Sequence, residues 1–161
     1  MTEGTIKEFL YVWYERSARA SGAHFDMASM LQKKYYAFGV PVIALTSLVS
    51  TATFATLGES EQLEMQIATG VAALLASVMS AIQTFLRYGE RAEQHRVSGV
   101  RYSALARELE EKHLFWESVN EEYINDFRTR WDALTADAPT VTDKIWKKYE
   151  EKAYIMESTS S

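Results

Sequence analysis

The sequence predicts an all-α fold: an integral membrane two-helix hairpin flanked by long amphipathic cytoplasmic helices. Two uncharged runs, 35–58 and 65–86, interrupt a chain that is regularly charged elsewhere. The runs contain 24 and 22 residues. As helices at about 1.5 Å per residue, each reaches roughly 33–36 Å, which exceeds a hydrocarbon core of about 30 Å. Each run is therefore long enough to cross a bilayer.

Membrane spans are predicted at about 36–57 and 66–86. A soluble helical hairpin normally places charged residues on its outward face every three or four positions, and neither run does so. The hydroxyl residues of the first run lower its hydropathy, which keeps a second interpretation open. In that alternative, the runs form a buried hairpin inside a large soluble helical oligomer.

The charged flanks are predicted to be helical as well, within a single domain of residues 1–157. Apolar residues at helical spacing predict a helix over 3–20, and the small, polar segment Arg19–Asp26 predicts a break after it. A longer apolar stripe with steps of three, four and seven predicts one helix over 88–134. A C-terminal helix is predicted over 141–157, with Thr140 or Thr142 as its N-cap, and 158–161 are predicted to be a disordered tail.

The distribution of basic residues predicts the orientation in the membrane. Basic residues lie on one side of the two runs, whereas the connecting segment Gly58–Glu64 holds three glutamates and no basic residue. Since basic residues concentrate on the cytoplasmic side, we expect a multi-pass protein of the cell inner membrane with both termini cytoplasmic and the glutamates in a tight turn outside. The residues expected to contact lipid headgroups and fix this topology are Lys33, Lys34, Arg87 and Arg91. Binding of a nucleotide phosphate by the arginines after the second run is the alternative.

The second run is amphipathic within the membrane, because its small and polar residues fall on one side of a helix and its large apolar residues on the other. The polar side holds Thr69, Gly70, Ala73, Ser77, Ser80, Gln83 and Thr84. In the first run, Thr46, Ser50 and Thr53 form a polar stripe, and Pro41 is expected at a helix start, with a gating hinge as the alternative. Such faces suit either close helix packing or the lining of a hydrated pore, and the residues leave both open.

Composition argues against several classes of function. A net charge of −5 argues against nucleic-acid binding, and the absence of cysteine excludes disulfides and thiolate metal sites. The histidines are scattered, and we find no phosphate-binding loop, nucleophile elbow or metal-ligand spacing. We therefore expect a protein that is not an enzyme and has no catalytic residue, metal or cofactor.

Several segments carry a resemblance to a known family. The first span contains "YYAFGVPVIALTSLVSTATFATL", and "TFLRYGERAEQHRVSGVRYSALARELE" leaves the second. Together with an amphipathic helix on each cytoplasmic side and the later Ala138-Pro139, these segments resemble the SLATT family over roughly Phe9 to Pro139. SLATT proteins have two transmembrane helices and occur in bacterial conflict systems alongside SMODS-type nucleotide cyclases.

The resemblance implies an antiviral defence effector that perturbs a membrane when a nucleotide signal arrives. It therefore implies a homo-oligomeric pore and, as a partner, a nucleotide second messenger or a cyclase-linked protein. The alternative is a membrane-anchored helical scaffold that recruits a cytoplasmic partner without conducting ions.

Overall fold

A computed structural model describes residues 2–55 and 63–159, with side chains described as far as residues 53 and 151. Within these residues the chain is all-α, as the sequence predicts. The helices are α1 (Glu3–Ala55), α2 (Leu63–Leu86), α3 (Tyr88–Leu114), α4 (Glu121–Asp137) and α5 (Asp143–Thr159), with a short 3-10 helix at Trp116–Ser118. Residues 158 and 159, assigned to a tail from sequence, belong to α5, and the rest of that predicted tail lies outside the described residues.

The chain forms two compact units. Residues 1–29 and 92–161 form the first, named the charged unit here, and residues 30–91 form the second, named the apolar unit. These units are defined by packing, and the expectation of a single domain over 1–157 stays a prediction.

The charged unit has an aromatic-rich core in which Phe127, Leu10 and Leu109 are fully buried. Three helices contribute to it, and its other buried members are Ile6, Ala20, Tyr102, Leu105, Val119, Ile124 and Leu134. Burying large apolar side chains is the dominant favourable term in folding. The apolar stripe that the sequence shows after the second run therefore finds its packing partner inside its own chain.

The single long helix predicted over 88–134 is wrong. The chain leaves α3 at Leu114 and starts α4 at Glu121, where the Asn120 side chain accepts a 2.8 Å hydrogen bond from the backbone N–H of Tyr123. This is an N-cap, which satisfies an otherwise unpaired donor of the first helical turn. Contacts between the two helices join Arg130 to Glu108 and Tyr102 to Thr135, so α4 runs back along α3. Folding the stripe in half buries both halves against each other, which one continuous helix could not do.

The helix break predicted at Arg19–Asp26 is also wrong, because α1 continues through it. The small residues of this segment allow close packing of neighbouring helices. Ser21 donates a 2.9 Å hydrogen bond to the Gly99 carbonyl, and a Cβ atom on Gly22 would lie 2.5 Å from Cε1 of Tyr149. Gly and Ser at such positions reflect a tertiary contact and not a turn.

Helix α5 packs on α1 within the charged unit through Tyr149 and through a 2.6 Å ion pair between Lys148 and Asp26. The Thr142 carbonyl accepts the backbone N–H groups of Ile145 and Trp146, each at 3.0 Å. Thr142 therefore stands where the sequence places the N-cap, directly before Asp143, the first residue of the helix.

The apolar unit consists of the second part of α1, then α2, then the start of α3. Pro41 lies inside α1 and not at a helix start, so that expectation is wrong. Helix α2 begins at Leu63, before the predicted boundary, which puts Glu64 in its first turn and not in the connecting segment.

Glu59, Glu61 and the rest of the expected tight turn lie outside the described residues. Arg87 has a φ of 47° and separates α2 from α3.

Candidate functional site

A groove of about 790 Å³ lies between α1 and α2 within the apolar unit. Six of the small and polar residues that the sequence singles out line it: Thr46, Ser50, Ala73, Ser77, Ser80 and Thr84. The remaining lining residues are apolar: Val42, Val49, Ala76, Ala81 and Phe85. The fold therefore brings most of the polar stripe of the first run and of the small-polar face of the second run onto one concave surface.

The hydroxyls on the α1 side bond to their own helix. Thr46 Oγ1 donates to the Val42 carbonyl at 2.9 Å, and Ser50 Oγ donates to the Thr46 carbonyl, also at 2.9 Å. Ser47, Thr51 and Thr53 follow the same i to i−4 pattern. This local hydrogen bond satisfies the hydroxyl donor without a partner from water or from another helix. The α1 wall consequently presents mainly methyl groups and lone pairs to the groove.

The α2 side of the groove differs. Ser77, Ser80 and Thr84 are exposed there, and no hydrogen bond to another described residue occupies their hydroxyls. Ala73 and Ala81 lie between them on the same wall. These hydroxyls are the polar groups of the groove that remain available to water, to an ion or to a second helix.

The outer faces of both helices are apolar and exposed, notably at Ile43, Leu48, Val71, Leu74 and Leu75. Both helices are long and apolar enough to cross a membrane, and almost none of the apolar stretch is buried within the protein. The core helix of a soluble protein would be mostly buried. Surfaces of this size and polarity mark a contact with lipid or with other protein.

Four predicted site residues lie outside the groove. Thr53 is exposed on α1 and bonded to the Val49 carbonyl, Thr69 is half-buried, and Gly70 faces open space. Gln83 instead packs on α1, where a Cβ atom on Gly39 would lie 3.1 Å from its Nε2 atom. Gly39 therefore lets the Gln83 amide rest on the α1 backbone, a pairing that the one-helix projection of the sequence could not reveal.

One end of the apolar unit collects basic and aromatic residues. Lys34 Nζ lies 5.8 Å from the ring centroid of Tyr88, which stacks on Phe38 at 6.0 Å. Arg87 forms an ion pair with Glu90, and Lys33 and Arg91 are exposed. Tyrosines and basic side chains of this kind anchor membrane helices at the headgroup level. The sequence analysis predicts headgroup contacts from the basic residues alone. The tyrosines near the same boundary are a further signal in the sequence that it did not use.

Comparison with protein-family models, with curated proteins and with solved structures gives no match. The resemblance to the SLATT family therefore rests on the sequence segments quoted above and stays an expectation.

The charged unit holds a buried pair of histidines, although the three histidines are scattered in the sequence. His24 lies on α1 and His95 on α3, and their Nδ1 atoms are 3.0 Å apart. Burial and the neighbouring His95 lower the pKa of His24 to about 4. Among the described residues no cluster of three or more potential metal ligands occurs. A separation of 71 residues in sequence left no local pattern from which this pair could be predicted.

Proposed function

We propose that this protein is a non-enzymatic membrane effector whose two spans assemble, as a homo-oligomer, into an ion-conducting or membrane-permeabilising pore. The observation that supports the proposal most directly is the groove in the apolar unit. It gathers the polar groups of both helices, including the available hydroxyls of Ser77, Ser80 and Thr84, while the opposite faces are apolar and exposed.

A single groove is open on one side, so a closed water-filled path requires further copies of the hairpin. Several copies arranged around an axis would turn their grooves inward and their apolar faces toward lipid. Six apolar residues and five hydroxyl residues line this surface, and none of them is charged. A path of this kind discriminates weakly among small ions and closes by dewetting when it narrows.

The proposed setting is the inner membrane, with both termini cytoplasmic, in a conflict system that responds to a nucleotide signal. The orientation rests on Lys33, Lys34, Arg87 and Arg91. The nucleotide signal and a cyclase-linked partner rest on the SLATT resemblance alone.

A second function is favoured by the bonding of the α1 hydroxyls. Because Thr46 and Ser50 are satisfied by their own backbone, the α1 wall suits close packing of another helix as well as it suits a hydrated path. In that case the spans anchor the charged unit, which recruits a cytoplasmic partner without conduction.

Ion flux through liposomes separates the two functions. Protein purified from cells in which its expression is toxic should release small ions, and Ser80→Leu should reduce that flux by about tenfold because an apolar constriction dewets. Val78→Leu is the matched control, since Val78 is an exposed apolar residue outside the groove, and it should leave flux unchanged. A toxic preparation that leaves liposomes and membrane potential intact would support the anchored scaffold.

A further inference from the structure

A second groove lies within the charged unit, between the N-terminal part of α1 and the C-terminal part of α3. Its volume is about 340 Å³, and it is lined by Leu10, Tyr11, Tyr14, Leu109, Glu110, His113 and Leu114. Leu10 and Leu109 form its floor as fully buried core residues, so the floor is fixed by the packing of the whole unit. The groove is thus a preformed apolar hollow with one carboxylate and one imidazole.

A protruding apolar pair stands directly beside this hollow. Leu114 ends α3 and is 74% exposed, and Phe115 follows it at 64% exposed. The backbone holds Phe115 in place, because its N–H donates to the Glu111 carbonyl at 3.3 Å and its carbonyl accepts from Ser118 N at 3.0 Å. Ser118 Oγ adds a third bond to the same carbonyl at 2.8 Å. A large aromatic side chain is therefore presented to solvent on a rigid turn.

We propose that this face pairs with the same face of a second copy of the chain, the Phe115 side chain of each copy entering the groove of the other. The argument is self-complementarity. A surface that carries a hollow and an adjacent protrusion of matching character forms both contacts twice when a two-fold axis relates the copies. Glu110 and His113 also line the groove, so each copy offers both a carboxylate and an imidazole that can pair across the same two-fold axis.

The inference rests on the proposed function in one respect, namely that two copies share a membrane. The patch is small beside the roughly 800 Å² per partner that a standard interface buries, so two free copies in solution would associate weakly. Confinement to one bilayer raises the effective concentration of each copy for the other, which lets a weak contact form. Phe115 is then an aromatic anchor of the kind that dominates binding energy at interfaces.

Cross-linking of the full-length chain in membranes tests the pairing, since the chain contains no cysteine and every thiol is introduced. Phe115→Cys and Tyr11→Cys variants, distinguished by tags, are co-expressed and oxidised. We expect the mixed Phe115–Tyr11 product to exceed either homodimer. In the control, Asp132→Cys on the exposed side of α4 replaces Phe115→Cys, and its mixed product should be at least about tenfold weaker.

A second measurement compares two apolar-to-polar changes. Phe115→Ser should weaken the dimerisation constant in liposomes about tenfold, the effect of losing roughly 1.4 kcal/mol, whereas Val100→Ser, at an exposed apolar position of α3, should leave it unchanged. Equal effects of the two changes would overturn the pairing.

The outcomes also separate this inference from the proposed pore. If Ser80→Cys cross-links between copies but the Phe115–Tyr11 pair does not, the oligomer stands and this face is not its contact. If the Phe115–Tyr11 pair cross-links while liposomes remain impermeable, the pairing stands and the pore is wrong. Cross-linking of Phe115→Cys exclusively to a different protein would overturn the assignment of a second copy as the occupant.

Discussion

His24 and His95 face each other in the charged unit with their Nδ1 atoms 3.0 Å apart, and both side chains are buried, at 4% and 2% exposed. The His24 ring also stacks on Tyr102 at a centroid distance of 5.4 Å. At this separation one ring nitrogen donates and the other accepts, so the pair is satisfied when both rings are neutral. A proton added to the accepting nitrogen removes that bond and leaves a charge on a buried side chain.

Acid is therefore expected to destabilise the charged unit. The pKa of His24 falls from 6.5 to about 4 in the folded chain. Between these two pH values the unfolded chain binds a proton on His24 and the folded chain does not. The stabilisation is complete above pH 6.5 and is lost as the pH falls toward 4, by up to about 3 kcal/mol at 1.36 kcal/mol per pKa unit. Tryptophan fluorescence during urea unfolding measures it, because all four tryptophans lie in the charged unit.

His24→Gln should flatten this dependence on pH, whereas Gln94→Ala, at an exposed uncharged residue next to His95, should leave it intact. A wild-type free energy of unfolding that stays constant between pH 6.5 and pH 4 would contradict the assignment.

Gly22→Ala should release α5 from α1. The new Cβ atom would lie 2.5 Å from Cε1 and 2.9 Å from Oη of Tyr149, and overpacking of this kind costs about 1–3 kcal/mol. Hydrogen exchange should show α5 losing protection first. Gly4→Ala meets nothing within 4 Å and should cause no loss, while Tyr149→Leu added to Gly22→Ala should restore most of the protection.

Asn120→Ala should weaken the start of α4. The substitution removes the 2.8 Å bond to Tyr123 N, a loss that costs about 0.5–2 kcal/mol at an N-cap. Asn125→Ala changes the same residue type on the exposed face of the same helix and should have no destabilising effect. Urea midpoints of the two variants give the comparison, and equal midpoints would argue against a capping role.

Thiol labelling of intact cells tests the orientation. A single Glu61→Cys should react with an impermeant reagent added outside, whereas Thr2→Cys should react only after the membrane is opened. The absence of natural cysteine makes each signal specific. Protection of Glu61→Cys together with labelling of Thr2→Cys in intact cells would reverse the orientation, and protection of both sites until lysis would argue against the membrane hairpin.

Hydrophobic patterning predicted the parts of this fold that depend on neighbouring residues along the chain. The two apolar helices and the stripe from Tyr102 to Leu134 follow from periodicity, which records which side of a helix is buried. Of the ten residues predicted for the pore or for helix packing, six line one groove. The side of a helix that holds its small residues can be read from sequence without knowing where the partner helix lies.

The errors came from contacts between segments distant in sequence. The glycine and serine at positions 22 and 21 suggested a break, yet they make room for α5 and α3. Conversely, Asn120 followed by two glutamates was a readable capping signal that the continuous apolar stripe obscured. Gln83 was predicted on the small-polar face of the second run, and its contact with Gly39 depends on the position of another helix.

Because the Thr46 and Ser50 hydroxyls bond to their own helix, the polarity of the α1 wall depends on the rotamers of these side chains. A side-chain rotation about χ1 takes picoseconds to nanoseconds and turns each hydroxyl from the backbone toward the open space, with no shift of the helix axis. The wettability of this wall is therefore set by rotamer populations as well as by residue type, and a ligand that favours the outward rotamers would hydrate it while every Cα atom stays in place.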